Sequence, residues 1–362
     1  MAAAHIRTRR RAARAAGAAG AALSASLLMA AVTATLTGAA RQPAHPAHPV
    51  QAAQPVHPVQ TAQPVQPVRA VQAAQPVQPA QPAPAPPAFP VQAAFSAPGP
   101  YATTAGTATD GSAVYDLYYP SSYAALGFQS PIVTWGNGTG GSPAQVSVLL
   151  RHLASYGFTV IATTLPNTGS GNEIDAAAHY LVTQNGVATS VYHGHLNTGE
   201  VASVGTSQGA GGAVQAATKD PALIKTVMTF SLPNAIWAGS NPDCPTAADC
   251  TANPAALTQP VFFASTYGIW DAIIASPATE KAYFNSTSVH AALGIILTSD
   301  GKLADHTSIQ DTADGGNPGG FFGYATAWLE YQLRGNATAA GAFSGPHPEL
   351  LSNINWPGSA IK

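Results

Sequence analysis

Past residue 112 the chain alternates short, wholly apolar runs with longer stretches whose apolar residues recur at helical spacing. Ala113-Val114-Tyr115-Asp116-Leu117-Tyr118-Tyr119 is rich in aromatic and β-branched residues and predicts an early strand, closed by Pro120-Ser121-Ser122. Pro131 to Trp135, Phe158 to Ala162, Val201 to Val204, Ile224 to Phe230, Val261 to Ala264 and Ala291 to Leu297 are apolar runs of buried-strand type. A helix over Ala144 to Tyr156 carries Val146, Val148, Leu149, Leu150 and Leu153, and Gly157 ends it. Another from about Glu173 to Thr183 sets Ile174, Ala177, Ala178 and Leu181 on one face. Strands alternating with helices in this way predict a mostly parallel sheet covered on both faces.

The run Val201 to Val204 leads into Gly205-Thr206-Ser207-Gln208-Gly209 and then Ala210-Gly211-Gly212-Ala213, a strand, a sharp turn and a helix. A serine at the apex of such a turn sits in a strained backbone conformation, and the two glycines stand where a side chain would meet the neighbouring strand or helix. The turn aims the Gln208 backbone N–H beside the Ser207 hydroxyl, where a tetrahedral intermediate would place its negative oxygen. Gly136-Asn137-Gly138-Thr139-Gly140-Gly141, directly after the strand ending at Trp135, is the loop that supplies the second oxyanion donor in such folds, with Thr139 and its neighbours as candidates. Taken alone it reads more readily as a plain Gly-rich strand-to-helix turn. It lacks the Gly-Lys-Ser/Thr ending of a phosphate-binding loop.

The first 112 residues read differently. In residues 1–40, Arg7, Arg9, Arg10, Arg11 and Arg14 precede an uncharged Ala, Leu, Val and Gly stretch ending at Gly38-Ala39-Ala40, which predicts a signal peptide. The uncharged stretch is also long enough to span a bilayer uncleaved. The paired arginines lack the Phe-Leu-Lys of a twin-arginine signal. Residues 41–93 repeat Gln-Pro-Val, His-Pro and Ala-Gln-Pro units with too few large apolar side chains to form a core, and predict a disordered, polyproline-biased linker. His45, His48 and His57 sit singly there, without the fixed geometry of a metal site. A spacer through a cell wall and a disposable leader both fit this composition.

That leaves residues 94–362 as one catalytic domain of α/β size. All sixteen acidic residues of the chain fall here against seven basic ones, a formal charge of −9. Such a surface excludes nucleic acid and acidic substrates as partners. Cys244 and Cys250, the two cysteines, are separated by five residues in an exported chain and predict a local disulfide. No zinc ligand set accompanies them.

Leu153-Ala154-Ser155-Tyr156-Gly157-Phe158, Gly205 to Gly212, and Ala325 to Asn336 with Ala342-Phe343 resemble bacterial cutinases and polyester hydrolases of the α/β-hydrolase superfamily, with similarity from about Gly99 to Pro346. The resemblance implies the α/β-hydrolase fold without a large lid domain, and it implies Thr139 as the second oxyanion donor beside Gln208. The sequence departs from the family at Thr206 and Gln208, and in a longer loop before Val261.

In α/β-hydrolases the acid and then the histidine follow the serine along the chain. Asp271, just past the strand Val261 to Ala264, is the expected acid, with Asp300 as the alternative; Asp305 stands too close to His306 in sequence to orient it readily. His306 lies in the polar loop where the family carries its base. His290 falls at a strand start, His179, His193 and His195 precede the serine, and His347 lies past the final helix.

The expected function is therefore secreted serine ester hydrolysis through an acyl-enzyme, of cutinase or polyesterase type. It calls for no cofactor and no metal. A lipase or small-ester carboxylesterase is the alternative within enzymes, and a wall-tethered binding module on an inactive hydrolase fold the alternative outside them. The expected partner is an ester, small, lipid or polymeric, met by a monomer with no integral membrane partner. Trp237, early in the loop between Phe230 and Val261, is expected at the rim of an open cleft or, equally, as an anchor of that loop.

Overall fold

The computed structural model describes residues 88–362 except 241, 243 and 312–315, so the expected signal peptide and nearly all of the expected linker lie outside the described residues. The described chain starts upstream of residue 94. Helix α1 (Pro90–Ser96) is followed by strands β1 (Thr103–Asp110), β2 (Ala113–Pro120) and β3 (Ser130–Gly136). Then come α2 (Ser147–Ser155), β4 (Thr159–Thr163), α3 (Asn172–Gly186), β5 (Leu196–Thr206), α4 (Gln208–Lys219) and β6 (Ile224–Phe230). A connection holding only short 3₁₀ turns and α5 (Ala247–Cys250) leads to β7 (Val261–Thr266). The chain closes with α6 (Ile269–Ile274), α7 (Pro277–Ser286), β8 (Ala291–Ile296), the two-residue β9 (Thr298–Ser299) and β10 (Lys302–Leu303), α8 (Gly319–Arg334), α9 (Ala337–Ala340), α10 (Glu349–Ser352) and β11 (Ala360–Ile361).

Nine strands form one sheet in the order β1-β2-β4-β3-β5-β6-β7-β8-β11. The six from β3 to β8 run parallel, and β1, β2 and β11 pair antiparallel at the edges. This is the α/β-hydrolase architecture. Strands β3, β4, β7 and β8 are buried along their whole length, and β6 at all but Lys225, because helices cover both faces. One face packs Trp135, Phe262, Trp328, Phe343 and Trp356 under α2 and α8; the other packs Ile132, Leu181, Val214 and Phe263 under α3, α4 and α7.

Three elements depart from the sequence pattern. The segment Thr103–Asp110 gave no strand signal, because β1 is an edge strand of Thr, Ala and Gly with no buried residue. Eight register pairs with β2 hold it nonetheless. The helix expected from Ala144 begins as a 3₁₀ turn over Pro143–Val146, closed by a reciprocal Ser142–Gln145 capping box, and becomes α-helical at Ser147.

The third is α1, which begins inside the Pro-rich composition. Pro90 suits its first turn, and the Glu349 carboxylate accepts the N–H groups of Val91 and Gln92, both at 2.7 Å. Tyr324 donates to the same carboxylate at 3.1 Å. Val91 and Phe95 are buried, Phe95 against Tyr156, whose hydroxyl donates to the carbonyls of Ala94 and Ala97. Deleting residues through Ser96 should therefore expose this seam and strand Glu349 without its backbone donors. Burial of the two side chains alone is worth about 3–5 kcal/mol. The measurable outcome is a Tm lower by about 6–15 °C than that of a chain starting at residue 88; equal melting of the two would show that α1 contributes nothing.

Candidate active site

The turn between β5 and α4 is fixed by backbone crowding. A Cβ on Gly205 would stand 2.2 Å from the Gly209 carbonyl oxygen, and one on Gly209 would stand 2.2 Å from the Gly136 carbonyl oxygen. No larger residue fits either position. Between them Ser207 adopts φ 53° and ψ −125°, a conformation rare for any residue with a side chain. Its N–H donates to the Phe230 carbonyl at 2.8 Å, which ties the turn to the end of β6. The site thus sits at the carboxyl ends of the parallel strands.

The turn after β5, the first turn of α6 and the loop after β10 deliver three side chains to one line. The Ser207 hydroxyl lies 2.9 Å from His306 Nε2, and His306 Nδ1 lies 2.6 Å from Asp271 Oδ1. Asp271 occupies the first turn of α6 and is wholly buried, while the His306 side chain is 13% exposed and open on one side. The other carboxylate oxygen of Asp271 accepts from Ser231 Oγ at 2.8 Å, Ser265 Oγ at 3.2 Å, Thr266 N at 3.0 Å and Thr266 Oγ1 at 2.7 Å. Such saturation is what a buried carboxylate requires. It leaves Oδ1 free to face the imidazole.

The alternative acid, Asp300, does not reach the histidine; at φ 51° it accepts from Gly319 N at the start of α8. Asp305 does not touch the imidazole either. Its Oδ1 accepts backbone N–H groups at Trp270, Asp271 and His306 instead. His290 packs flat on Trp328 and bonds the Lys362 carbonyl at the far end of β8. His179 pairs with Asp220 at 3.0 Å and approaches Asp175 at 3.8 Å. That is the one group of three potential metal ligands among the described residues, and it sits at the opposite end of α4 from Ser207.

Thr139, Ser207 and Gln208 line one cleft. Gln208 is the first residue of α4, so helix geometry leaves its N–H without an intrahelical acceptor, and its side chain turns away to accept Thr168 N at 2.9 Å. The loop bearing Thr139 is pinned by Asn137, whose side-chain amide donates to the carbonyls of Thr163 and Leu165, and by Gly140 N to the Pro166 carbonyl. Leu232, Pro233, Trp237 and Ile274 give the cleft an apolar wall. Trp237 stands in the 3₁₀ turn Ala235–Ser240, half-buried, so it both lines the cleft and rests on its loop. Cys244 and Cys250 sit at disulfide distance, Cα to Cα 6.0 Å, and Cys250 borders the same cleft.

Several residues that build the site gave no signal in the sequence. Ser231 and Thr266, which hold Asp271, are ordinary strand-end hydroxyls. Ser231 stands at φ 54°, a second residue of this region in the left-handed range. Glu280 on α7 is a fully buried carboxyl whose Oε1 accepts Leu232 N at 2.7 Å. Burial, and then the Asp271 carboxylate nearby, push it well above the ordinary carboxylate value of 4.5. An acid in the first turn of a helix, where acids are common, gives no such hint.

The folded protein keeps the Glu280 proton at pH values where the unfolded chain has released it. Folded-state stability therefore falls as pH rises from about 5 toward the raised folded value. Glu280→Gln retains an acceptor for Leu232 N and removes this titration. Denaturant unfolding across pH 5–8 should give a flatter stability profile for the variant than for the parent; parallel profiles would mean that Glu280 is not held neutral.

Residues 73–247 match the family model PETase, described as PET hydrolase-like. That span holds Thr139, Ser207, Gln208 and Trp237 and ends before Asp271 and His306. No curated protein matches the chain.

Proposed function

We propose that this chain, whose residues 73–247 match the PET hydrolase-like family model, is a cutinase- and polyesterase-like α/β-hydrolase that cleaves carboxylic esters with Ser207 as nucleophile, His306 as base and Asp271 as acid. The observation that carries the proposal is the unbroken line of hydrogen bonds from Ser207 through His306 to Asp271, at 2.9 and 2.6 Å. An ester carbonyl enters beside Thr139. Ser207 Oγ bonds to the carbonyl carbon as its proton passes to His306 Nε2, and the carbonyl oxygen becomes an oxyanion facing the amides of Gln208 and Thr139. Each such donor is worth about 3 kcal/mol in the transition state.

Collapse of the intermediate breaks the bond to the alkoxy oxygen, and the imidazolium returns the proton to the departing alcohol. Water then repeats the sequence on the acyl-enzyme, regenerating Ser207 and releasing the acid. Asp271 holds the proton on Nδ1 throughout and steadies the imidazolium.

The apolar wall of the cleft favours short and medium acyl groups or the ring of an aromatic polyester. Ile236, Ile269 and Trp270, exposed beside Trp237 and Asp271 in the chain, extend an apolar surface around these elements. Between β6 and β7 the chain has short turns in place of a lid domain. The N-terminal basic and apolar segment supports export, and the Pro-rich stretch supports a spacer between the domain and a cell wall. No described helix is long and apolar enough to cross a membrane.

Ser207→Ala and His306→Ala should each lower kcat by about 10⁴-fold or more while leaving the melting temperature within a few degrees, because members of such a set act as a unit. Asp271→Asn should cost less, about 10²–10⁴-fold, and Asp300→Asn almost nothing. A larger loss from Asp300→Asn than from Asp271→Asn would refute the assignment of the acid, and a folded protein whose Ser207 resists a fluorophosphonate would refute the serine mechanism.

Trp237→Ala should reduce kcat/KM on bulky esters by roughly tenfold, with smaller effects on acetate esters, as expected for a lost apolar contact. The parent should show no jump in rate as substrate passes its solubility limit. Such a jump would reveal a moving lid; unchanged kinetics with a lowered Tm would make Trp237 a packing residue only.

A further inference from the structure

We propose that Asp305 is a positioning residue, which locks the histidine loop to the helix carrying the acid and so sets the His306–Asp271 distance. The proposal rests on the reading of Ser207, His306 and Asp271 as the reacting groups. One carboxylate oxygen, Asp305 Oδ1, accepts three backbone N–H groups: Trp270 at 2.9 Å, Asp271 at 3.2 Å and His306 at 2.8 Å. Two belong to the first turn of α6 and the third to the loop after β10. The oxygen therefore fastens the backbone of the acid to the backbone of the base. No other hydrogen bond described here joins the main chains of those two residues.

The surrounding chain is shaped to hold that oxygen in place. Asp305 N donates to Ser308 Oγ at 2.8 Å, and Ser308 N returns a bond to the Asp305 carbonyl at 2.8 Å, closing a tight turn beneath His306. On the facing side Gly268 admits the carboxylate: a Cβ there would stand 2.3 Å from Asp305 Cγ. The Gly268 N–H bonds Thr266 Oγ1, the same hydroxyl that donates to Asp271 Oδ2. Asp271 is thus fixed from two directions, its side chain by Thr266, Ser265 and Ser231 and its main chain by Asp305. Asp305 acts through geometry, since its carboxylate oxygen engages amides and leaves the imidazole to Asp271.

What matters in this arrangement is an acceptor oxygen at one place. Asp305→Asn preserves it, Asp305→Ala removes it, and Asp305→Glu keeps the charge while moving the oxygen by one methylene. Displacement of a reacting group by about 1 Å costs about 100-fold in rate. We expect kcat of Asp305→Ala to fall by about 30- to 100-fold with KM within about threefold of the parent, and Asp305→Asn to lie within about fivefold of the parent.

A proton spectrum supplies the readout that loss of stability alone would not move. The short Nδ1–H to carboxylate bond, 2.6 Å, should give a line far downfield of the amides, absent in His306→Ala and lost or broadened in Asp305→Ala. Should Asp305→Ala fail to fold, Asp305→Glu replaces it with the same expected loss. Asp305→Ala with kcat within threefold of the parent, an unchanged downfield line, or an Asp305→Asn variant as impaired as Asp305→Ala would each overturn the proposal. Fluorophosphonate labelling of the parent separates this from the underlying reading: a parent that does not label at Ser207 brings down both, whereas a parent that labels beside an unimpaired Asp305→Ala brings down this one alone.

Discussion

Backbone against backbone is the contact on which the rest of the site depends. Where α4 leaves the sheet, Gly209 presses on the Gly136 carbonyl and Gly205 on Gly209 itself, so the helix starts as near to β3 and β5 as atoms allow. That closeness forces Ser207 into its strained φ at a cleft that Thr139 and Gln208 also line. It also brings β6 near enough for the Phe230 carbonyl to take the Ser207 N–H. A bulkier residue at either glycine would move the helix, and the serine, the donors and the loop would move with it.

A second constraint comes from burying charge. Asp271 is withdrawn wholly from water, and the protein meets that cost with hydroxyls and amides drawn from the ends of β6 and β7. Glu280 shows the other outcome a few residues away: with one backbone donor and a carboxylate for a neighbour, it keeps its proton. Two acids packed into one region thus meet burial differently: one oxygen of Asp271 accepts four hydrogen bonds, whereas Glu280 has a single backbone donor and a raised pKa.

The sequence carried the parallel core plainly, because strands covered on both faces hold runs of apolar residues, as Ile132-Val133, Val160-Ile161-Ala162, Val227-Met228 and Ala291 to Ile296 do. It was silent on β1, whose edge position asks nothing of its side chains, and on α1, whose two core contacts are hidden in proline-rich surroundings. For the site, motif, resemblance and chain order pointed to Ser207, Asp271 and His306 in three separate connections after strands, and the structure finds those side chains within hydrogen-bond reach. Order along the chain said nothing of the groups that hold them. Ser231, Thr266, Asp305 and Glu280 act through backbone amides or a second carboxylate oxygen, and such partnerships follow from which strand ends meet, which no local pattern records. Nearness in sequence told only part of the story at Asp305: a residue adjacent to a histidine cannot readily face its ring, and this one does not, yet it can hold its backbone.

The apolar cleft wall has a consequence for what leaves it. An ester is neutral and can rest against Leu232, Pro233, Trp237 and Ile274 at no cost in charge, but hydrolysis turns its acyl part into an anion. That anion is stranded beside apolar carbon in a domain already rich in negative charge, and water solvates it far better. On the proposed reading the cleft therefore holds its reactant more firmly than its product, and accumulating acid is a poor competitor for the next turnover.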